Sequence, residues 1–259
     1  MENKLTSYEK VQLARSPERP DIMEYIDKLF DDFVELHGDR LYRDDPAIVG
    51  GICLFHGHPV TVIGHRKGKN TEDNIRFNFG MASPEGYRKA RRLMEQAQKF
   101  KRPVITFVDT PGAYPGIEAE NNGQSNAIAE NLAFMSRITV PVITIVTGEG
   151  SSGGALALAV SDRVYMLENA VYAILSPEGY ASILWKDAKR ASEASDLMKL
   201  TAQELKEFGL IDGIIPEGRS LMAAIDRMLR RELTELYKLS PKALVQKRYQ
   251  KFRRMGKAE

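Results

Sequence analysis

Three segments of this chain repeat one pattern: HPVTVIG from His58, RPVITFVDT from Arg102 and VPVITIVTG from Val140. Each carries a proline at its start, continues as a β-branched apolar run and leads into a loop bearing glycine. Unbroken apolar runs are the mark of strands buried on both faces, as in parallel sheets covered by helices. The prolines are 44 and 38 residues apart, room for the long crossover that parallel neighbours require. Helical patterns fill both gaps. Ser83 and Pro84 suit the N-cap and first turn of a helix with Ala90, Leu93, Met94 and Ala97 inward. In the second gap Ile128, Leu132 and Met135 share one face. The expected class is an α/β protein assembled from a repeated unit.

The rest of the chain fits around this repeat. Ile22, Tyr25, Ile26, Leu29, Phe30, Phe33 and Leu36 recur at helical steps from Asp21, with Gly38 as terminator. AIVGGICLF and HPVTVIG read as strands joined by a tight turn at His56-Gly57-His58. HRKGKNTEDNIRFN reads as a polar, basic loop, in which Lys67, Lys69 and Arg76 are solvated and His65 ends a strand. RVYMLE and VYAIL are strand-like, and SPEGY, present at Ser83–Tyr87 and again at Ser176–Tyr180, is helix-start chemistry used twice. Trp185 belongs to core or interface. Thr201 and Glu204 form a capping box, and Gly209 closes that helix before LIDGII. From Ser240 a basic helix carries Leu244, Val245, Tyr249, Phe252 and Met255 along one side, a continuous stripe suited to subunit packing.

Composition narrows the class of partner. With 37 basic against 35 acidic residues, the net charge of +2 points to neither DNA nor an anionic membrane. No apolar run reaches the length of a membrane span, and the first residues lack a secretory h-region. Cys53, alone, rules out an internal disulfide or a cysteine-rich zinc site in this chain. A cytoplasmic location follows as the expectation.

The third strand copy ends in GEGSSGGA, which satisfies two motifs at once. Gly148, Gly150 and Gly153 match the dinucleotide fingerprint, with Glu168 as the later acid, and this reading predicts nicotinamide binding. Gly150, Ser152 and Gly154 match a hydrolase nucleophile elbow, which needs a histidine later in the chain. All four histidines, His37, His56, His58 and His65, come earlier. A third reading needs only backbone: a glycine turn opening a helix from Gly153 to Ser161 exposes N–H groups at the positive end of a dipole, an anion site. The loop DTPGAYPGIEAENNGQS follows the neighbouring strand copy and belongs at the same sheet end. Its length suits either a functional loop or a surface excursion; in the functional reading Gly112, Ala113 and Gly116 leave backbone accessible and Tyr114 walls a pocket.

VELHGDRLYRDDPAIVGGI, NFGMASPEGYRKARRLMEQAQKF, FVDTPGAYPG, GEGSSGGALA and SPEGYASILWK together resemble the alpha subunits of bacterial acetyl-CoA carboxylase carboxyltransferase, from about Tyr8 to Pro216. The resemblance implies a crotonase-like (ClpP/crotonase) fold, a spiral of repeated β-β-α units with flanking helices. It places everything in one domain, 1–259: N-terminal helices 7–37, a core from about 47 to 216 and C-terminal helices from about 220 to 255. It implies transfer of the carboxyl group of carboxybiotin, held on a biotin carboxyl carrier protein, to acetyl-CoA, giving malonyl-CoA for fatty-acid synthesis. A beta subunit completes an α2β2 assembly and holds the zinc, and a biotin carboxylase uses the ATP. Gly153 and Gly154 take the place of the backbone oxyanion hole for the biotin enolate; Gly112, Ala113, Tyr114, Gly150, Ser151 and Ser152 line the substrate. Ser151 stands where the family usually has glycine, and GRSLMAA follows IIPE where many relatives have PLGGAH. The alternatives are a self-sufficient crotonase-type acyl-CoA hydratase or isomerase, and a non-catalytic subunit that docks the carrier.

Overall fold

The computed structural model describes residues 5–256; positions 1–4 and 257–259 of the expected domain lie outside them. Its strands are β1 Asp31–Glu35, β2 Ile48–Phe55, β3 His58–His65, β4 Val104–Thr110, β5 Val142–Ser151, β6 Arg163–Leu167, β7 Val171–Ala173 and β8 Gly213–Ile215. The helices are α1 Ser7–Ala14, α2 Ile22–Leu29, α3 Thr71–Arg76, α4 Pro84–Lys99, α5 Ile117–Asn121, α6 Gln124–Arg137, α7 Ser152–Leu156, α8 Pro177–Trp185, α9 Ala191–Met198, α10 Ala202–Glu207, α11 Leu221–Tyr237 and α12 Pro241–Arg254.

The sheet runs β1-β2-β3-β4-β5-β6-β8, and β7 pairs with the far end of β5. β1, β2 and β3 are antiparallel neighbours; β3 to β6 and β8 are parallel. The order never reverses, so successive crossovers step the same way and wind a spiral, with α4 and α6 packed together over the sheet. The three strand copies are β3, β4 and β5, side by side as the repeat requires. Val104, Ile105, Val108, Val142, Ile143, Ile145 and Val146 are wholly buried. Thr106 and Thr144 are buried among them because their hydroxyls are hydrogen-bonded to each other at 2.8 Å and reach the Leu158 carbonyl at 2.8 and 3.1 Å. Val104 pairs with Val142 in step with the repeat, whereas Thr61 pairs with Val104, one residue out of step with the prolines.

Several elements differ from expectation. The helix begun at Asp21 stops at Leu29, and Phe33 lies in β1, with Leu36 just beyond it. Phe30 turns extended (φ −132°, ψ 151°), and Asp32 adopts φ +52° where the β1–β2 register slips. That bulge inserts a residue into an alternating strand, so apolar positions recur every three residues and imitate a helix. The basic loop contains α3, and the loop after β4 contains α5, leaving 111–116 and the turn at 122–123 irregular. On α6 the buried positions are Gln124, Ala127, Asn131, Phe134 and Met135, while Ile128 and Leu132 sit at the rim.

The tail helix α12 buries a different face from the one its apolar residues suggest. Its inward residues are Leu244 and Arg248. Val245, Tyr249 and Phe252 instead line a groove of about 610 Å³ with Val160 and Arg137, and Tyr249 is 58% exposed. Arg248, 1% exposed, donates to both Asp162 oxygens at 3.0 and 2.8 Å and to the carbonyls of Met135 and Ile138. A buried guanidinium saturated in this way fixes α12 against the end of α6 and the start of β6.

Candidate active site

The carboxyl ends of β4 and β5 bring the two glycine loops together. After Thr110 the chain turns at Gly112, whose φ of +145° suits only glycine. The Thr110 hydroxyl shapes this turn, accepting the Gly112 N–H at 3.1 Å and donating to the Gly112 carbonyl at 2.7 Å. Tyr114 is held by its N–H to the Ala82 carbonyl at 3.0 Å, and Gln124 Nε2 donates to the Ala82 and Tyr114 carbonyls, both at 2.9 Å.

The second loop is the end of β5 itself. Gly150 and Ser151 are buried strand residues paired with Tyr172 and Ala173 of β7. Ser152 is exposed with φ +53°, a left-handed serine at the join of strand and helix, the kind of backbone strain that clusters at functional sites. Gly153 and Gly154 follow within the first turn of α7, where N–H groups have no carbonyl one turn back to bond. The N-cap residue, Ser151, makes no side-chain bond to them. α7 ends at Leu156, short of the Ser161 expected.

The two glycines differ in their surroundings. A Cβ on Gly154 would stand 2.6 Å from the Ala113 nitrogen and 2.9 Å from the Tyr87 hydroxyl, so the loops touch here. A Cβ on half-buried Gly153 would meet nothing closer than Ile128, at 3.5 Å. Of the predicted residues, Gly112, Ala113 and Gly154 thus converge directly, Gly153 faces outward beside them, and Gly150 and Ser151 support from beneath.

Sequence reasoning missed several neighbours. Tyr87, in the first SPEGY, is fully buried, and among the described residues its hydroxyl has no partner. Lys67, assigned to a solvated loop, is only 19% exposed and bridges Asp109 Oδ1 at 2.6 Å and Glu149 Oε2 at 2.9 Å. Burial alone would lower the Lys67 pKa; the two carboxylates more than reverse this and raise it. Glu149, inside the glycine motif, was the available signal: a carboxylate at a buried strand end demands a cation. Lys69 pairs with Glu24 at the surface, and Arg76 lies over Phe77. Trp185 is half-buried, with the Arg190 guanidinium 3.9 Å from its ring centroid.

His65 ends β3 as expected, 2% exposed, with neither ring nitrogen hydrogen-bonded among the described residues. Burial first, and the Lys67 charge second, push its pKa down to about 3, against the pull of the Phe107 and Gly154 carbonyls. The folded protein therefore holds His65 neutral, while the unfolded chain protonates it below about 6.5. Stability is expected to fall as pH drops through that range toward 3, by on the order of 1–2 kcal/mol between pH 7 and 5. Denaturant unfolding at both pH values checks this: His65→Gln should show a smaller loss than the parent chain.

This geometry separates the motif readings. A dinucleotide crevice forms where strand order reverses, and this order does not reverse. The elbow reading lacks its base: His37 and His56 pair with Asp44 and Asp226, His58 is exposed on β3, and His65 is buried without a bond to Ser152. What remains is a pair of main-chain donors on a glycine turn.

The chain matches the family model described as acetyl co-enzyme A carboxylase carboxyltransferase-like over residues 1–256. It is 56% identical over 260 residues to the acetyl-coenzyme A carboxylase carboxyl transferase subunit alpha of Geobacillus sp. (strain WCH70), covering 97% of this chain and 80% of that one. The subunit of the same name from Listeria monocytogenes serotype 4b (strain CLIP80459) is 55% identical, covering 97% and 82%. Among solved structures, the transcarboxylase 12S core with methylmalonyl-coenzyme A and methylmalonic acid bound superposes with a TM-score of 0.73 at 21% identity, over 91% of this chain and 46% of that one.

Proposed function

The chain belongs to the acetyl-coenzyme A carboxylase carboxyltransferase-like family, and from that premise we propose that its glycine turn supplies the main-chain donors of a carboxyl transfer. It is the alpha-type subunit of a biotin-dependent carboxyltransferase acting on acetyl-CoA, and it works with a beta-type partner. The observation that carries the site is the uncapped start of α7, where the Gly153 side is open and the Gly154 side is pressed against Ala113.

Biotin, when bound, supplies the carboxyl group and a ureido oxygen on which negative charge gathers as that group leaves. The Gly153 and Gly154 N–H groups fit that oxygen because they are adjacent, fixed before the reaction and free of side chains at the point of approach. One donor of this kind stabilises a developing charge by about 3 kcal/mol. Gly112, Ala113 and Tyr114 wall the approach, while Gly150, Ser151 and Ser152 set the height and tilt of the turn. Among the described residues the charged groups beside the turn are not free: Lys67, Asp109 and Glu149 are tied to one another, His65 is buried and neutral, and burial keeps the unpartnered Tyr87 hydroxyl protonated. Its work is positioning and charge stabilisation.

The finer assignments belong to the same proposal. The carboxyl group arrives on a biotin carboxyl carrier protein loaded by an ATP-dependent biotin carboxylase, the assembly is α2β2, and zinc sits on the beta subunit. The chain is one carboxyltransferase domain; a hydrophobic cluster continuous from Ile22 to Leu244 supports this. Among the described residues no helix is long and apolar enough to cross a membrane, which accords with a cytoplasmic site. Reconstitution tests the whole: malonyl-CoA should form from carboxybiotin and acetyl-CoA only when both subunit types are present. Turnover of an enoyl-CoA by this chain alone would instead favour the self-sufficient hydratase or isomerase.

A further inference from the structure

Between β4 and β5 the pairing breaks where the two loops begin. Val108 faces Val146, yet Thr110 faces Gly150, so β5 carries extra residues in 147–149. This bulge lies directly before the glycine turn and sets its direction. Its own backbone pairing is disrupted, and side chains from elsewhere hold it. The Thr147 carbonyl accepts from Arg19 Nε and Nη2 at 2.9 and 2.7 Å. The Glu149 N–H donates to Asp109 Oδ1 at 2.9 Å, and the Asp109 carboxylate fills the space that a side chain at Gly148 would take. The Glu149 carboxylate, in an 8% exposed residue, accepts from Arg15 Nε at 2.8 Å, and Arg15 in turn pairs with Glu178 at the start of α8.

Lys67 stands at the centre, its ammonium shared between Asp109 on β4 and Glu149 on β5. Without that charge Glu149 keeps Arg15 but Asp109 loses the cation it now shares, so the two carboxylates at the strand ends are left with one counter-charge between them and their repulsion opens the bulge. Asp109 lies three residues before Gly112 and Glu149 four before Gly153, so separating them moves both walls of the site.

We propose that Lys67, clamped between Asp109 and Glu149, is a positioning residue that sets the β5 bulge and so aims the Gly153 and Gly154 amides at the reacting oxygen. This rests on the reading of the glycine turn as the donor site. In this role Lys67 acts through the turn, its ammonium being taken up by the two carboxylates.

The test uses the alpha–beta complex, with kcat and KM measured for acetyl-CoA and for biotin. Lys67→Met is expected to lower kcat on the order of a hundredfold, the cost of a displacement of about 1 Å at a reacting centre. Both KM values should stay within about twofold, because binding of the ground state is not what the turn supplies. Lys67→Arg, which keeps the charge between the carboxylates, should recover about tenfold of that loss. If Lys67→Met fails to fold, Lys67→Gln takes its place; it removes the charge while keeping a polar group between the two carboxylates, with about a tenfold loss expected in kcat alone. An unchanged kcat in a folded, assembled Lys67→Met or Lys67→Gln complex overturns the proposal, as does an equal loss in Lys67→Arg. Gly153→Val separates the two levels. If it is inactive while Lys67→Met is fully active, only the positioning role falls; if it is active, the donor site falls and the positioning role with it.

Discussion

Gly153→Val is expected to fold, to assemble with its partner subunit and to lose carboxyl transfer by at least about a hundredfold in kcat, the scale of losing an oxyanion donor. The fold itself has no need of glycine at this position. Gly153 is not among the glycines with positive φ, and an added Cβ would meet only Ile128, at an ordinary 3.5 Å. A loss of activity with stability and assembly intact therefore reports obstruction of something that approaches the turn from outside. Gly154→Val makes the contrasting case. There the new Cβ would lie 2.6 Å from the Ala113 nitrogen and 2.7 Å from the Gly112 carbonyl carbon, so the two loops must part and stability falls together with activity. Steady-state kinetics beside thermal melts of the two variants distinguish a ligand requirement from a packing one. Full activity in Gly153→Val contradicts the assignment.

Arg248→Met is expected to be the most destabilising single change outside the site, by about 3–5 kcal/mol, the usual cost of stranding one partner of a buried ion pair. The residue is 1% exposed, and its partner Asp162 is 4% exposed. Removing the guanidinium leaves that carboxylate, and the Met135 and Ile138 carbonyls, without the donors they now have. Asp162 also accepts the Val142 N–H at the first residue of β5 and so has no freedom to turn toward water. In a chain of this length the midpoint should fall by about 10 °C. The double variant Arg248→Met, Asp162→Asn should lose less than the two single losses combined, because the stranded charge is gone. Calorimetry across that cycle checks it, and additive losses contradict the coupling.

The parallel core was legible because buried strands have to be apolar along their whole length. The copies at β3, β4 and β5 announced themselves, as did the capping residues Thr201 and Glu204 and the Ser176 cap of α8. Phe33 and Leu36 misled because a bulge at Asp32 changed the period of a strand from two to three. The tail stripe was legible as an apolar face, and Val245, Tyr249 and Phe252 line one groove. The inward face of that helix was not legible, because the partner that determines its packing is the charge of Asp162, far away in sequence. At the site, the glycine loops were readable as backbone devices. Of the Lys67–Asp109–Glu149 bridge only Glu149, a carboxylate at a buried strand end, left a signal; its partners did not, since pairing among residues from three strand ends leaves no periodic trace.

The central claim is that two main-chain amides meet the ureido oxygen of biotin. A crystal structure of the alpha–beta complex with a biotinylated carrier seated in the site tests it most directly. That oxygen should lie about 2.7–3.1 Å from the Gly153 and Gly154 nitrogens. A ureido oxygen held by other donors, with the amides of Gly153 and Gly154 bonded inside their own chain, would contradict it.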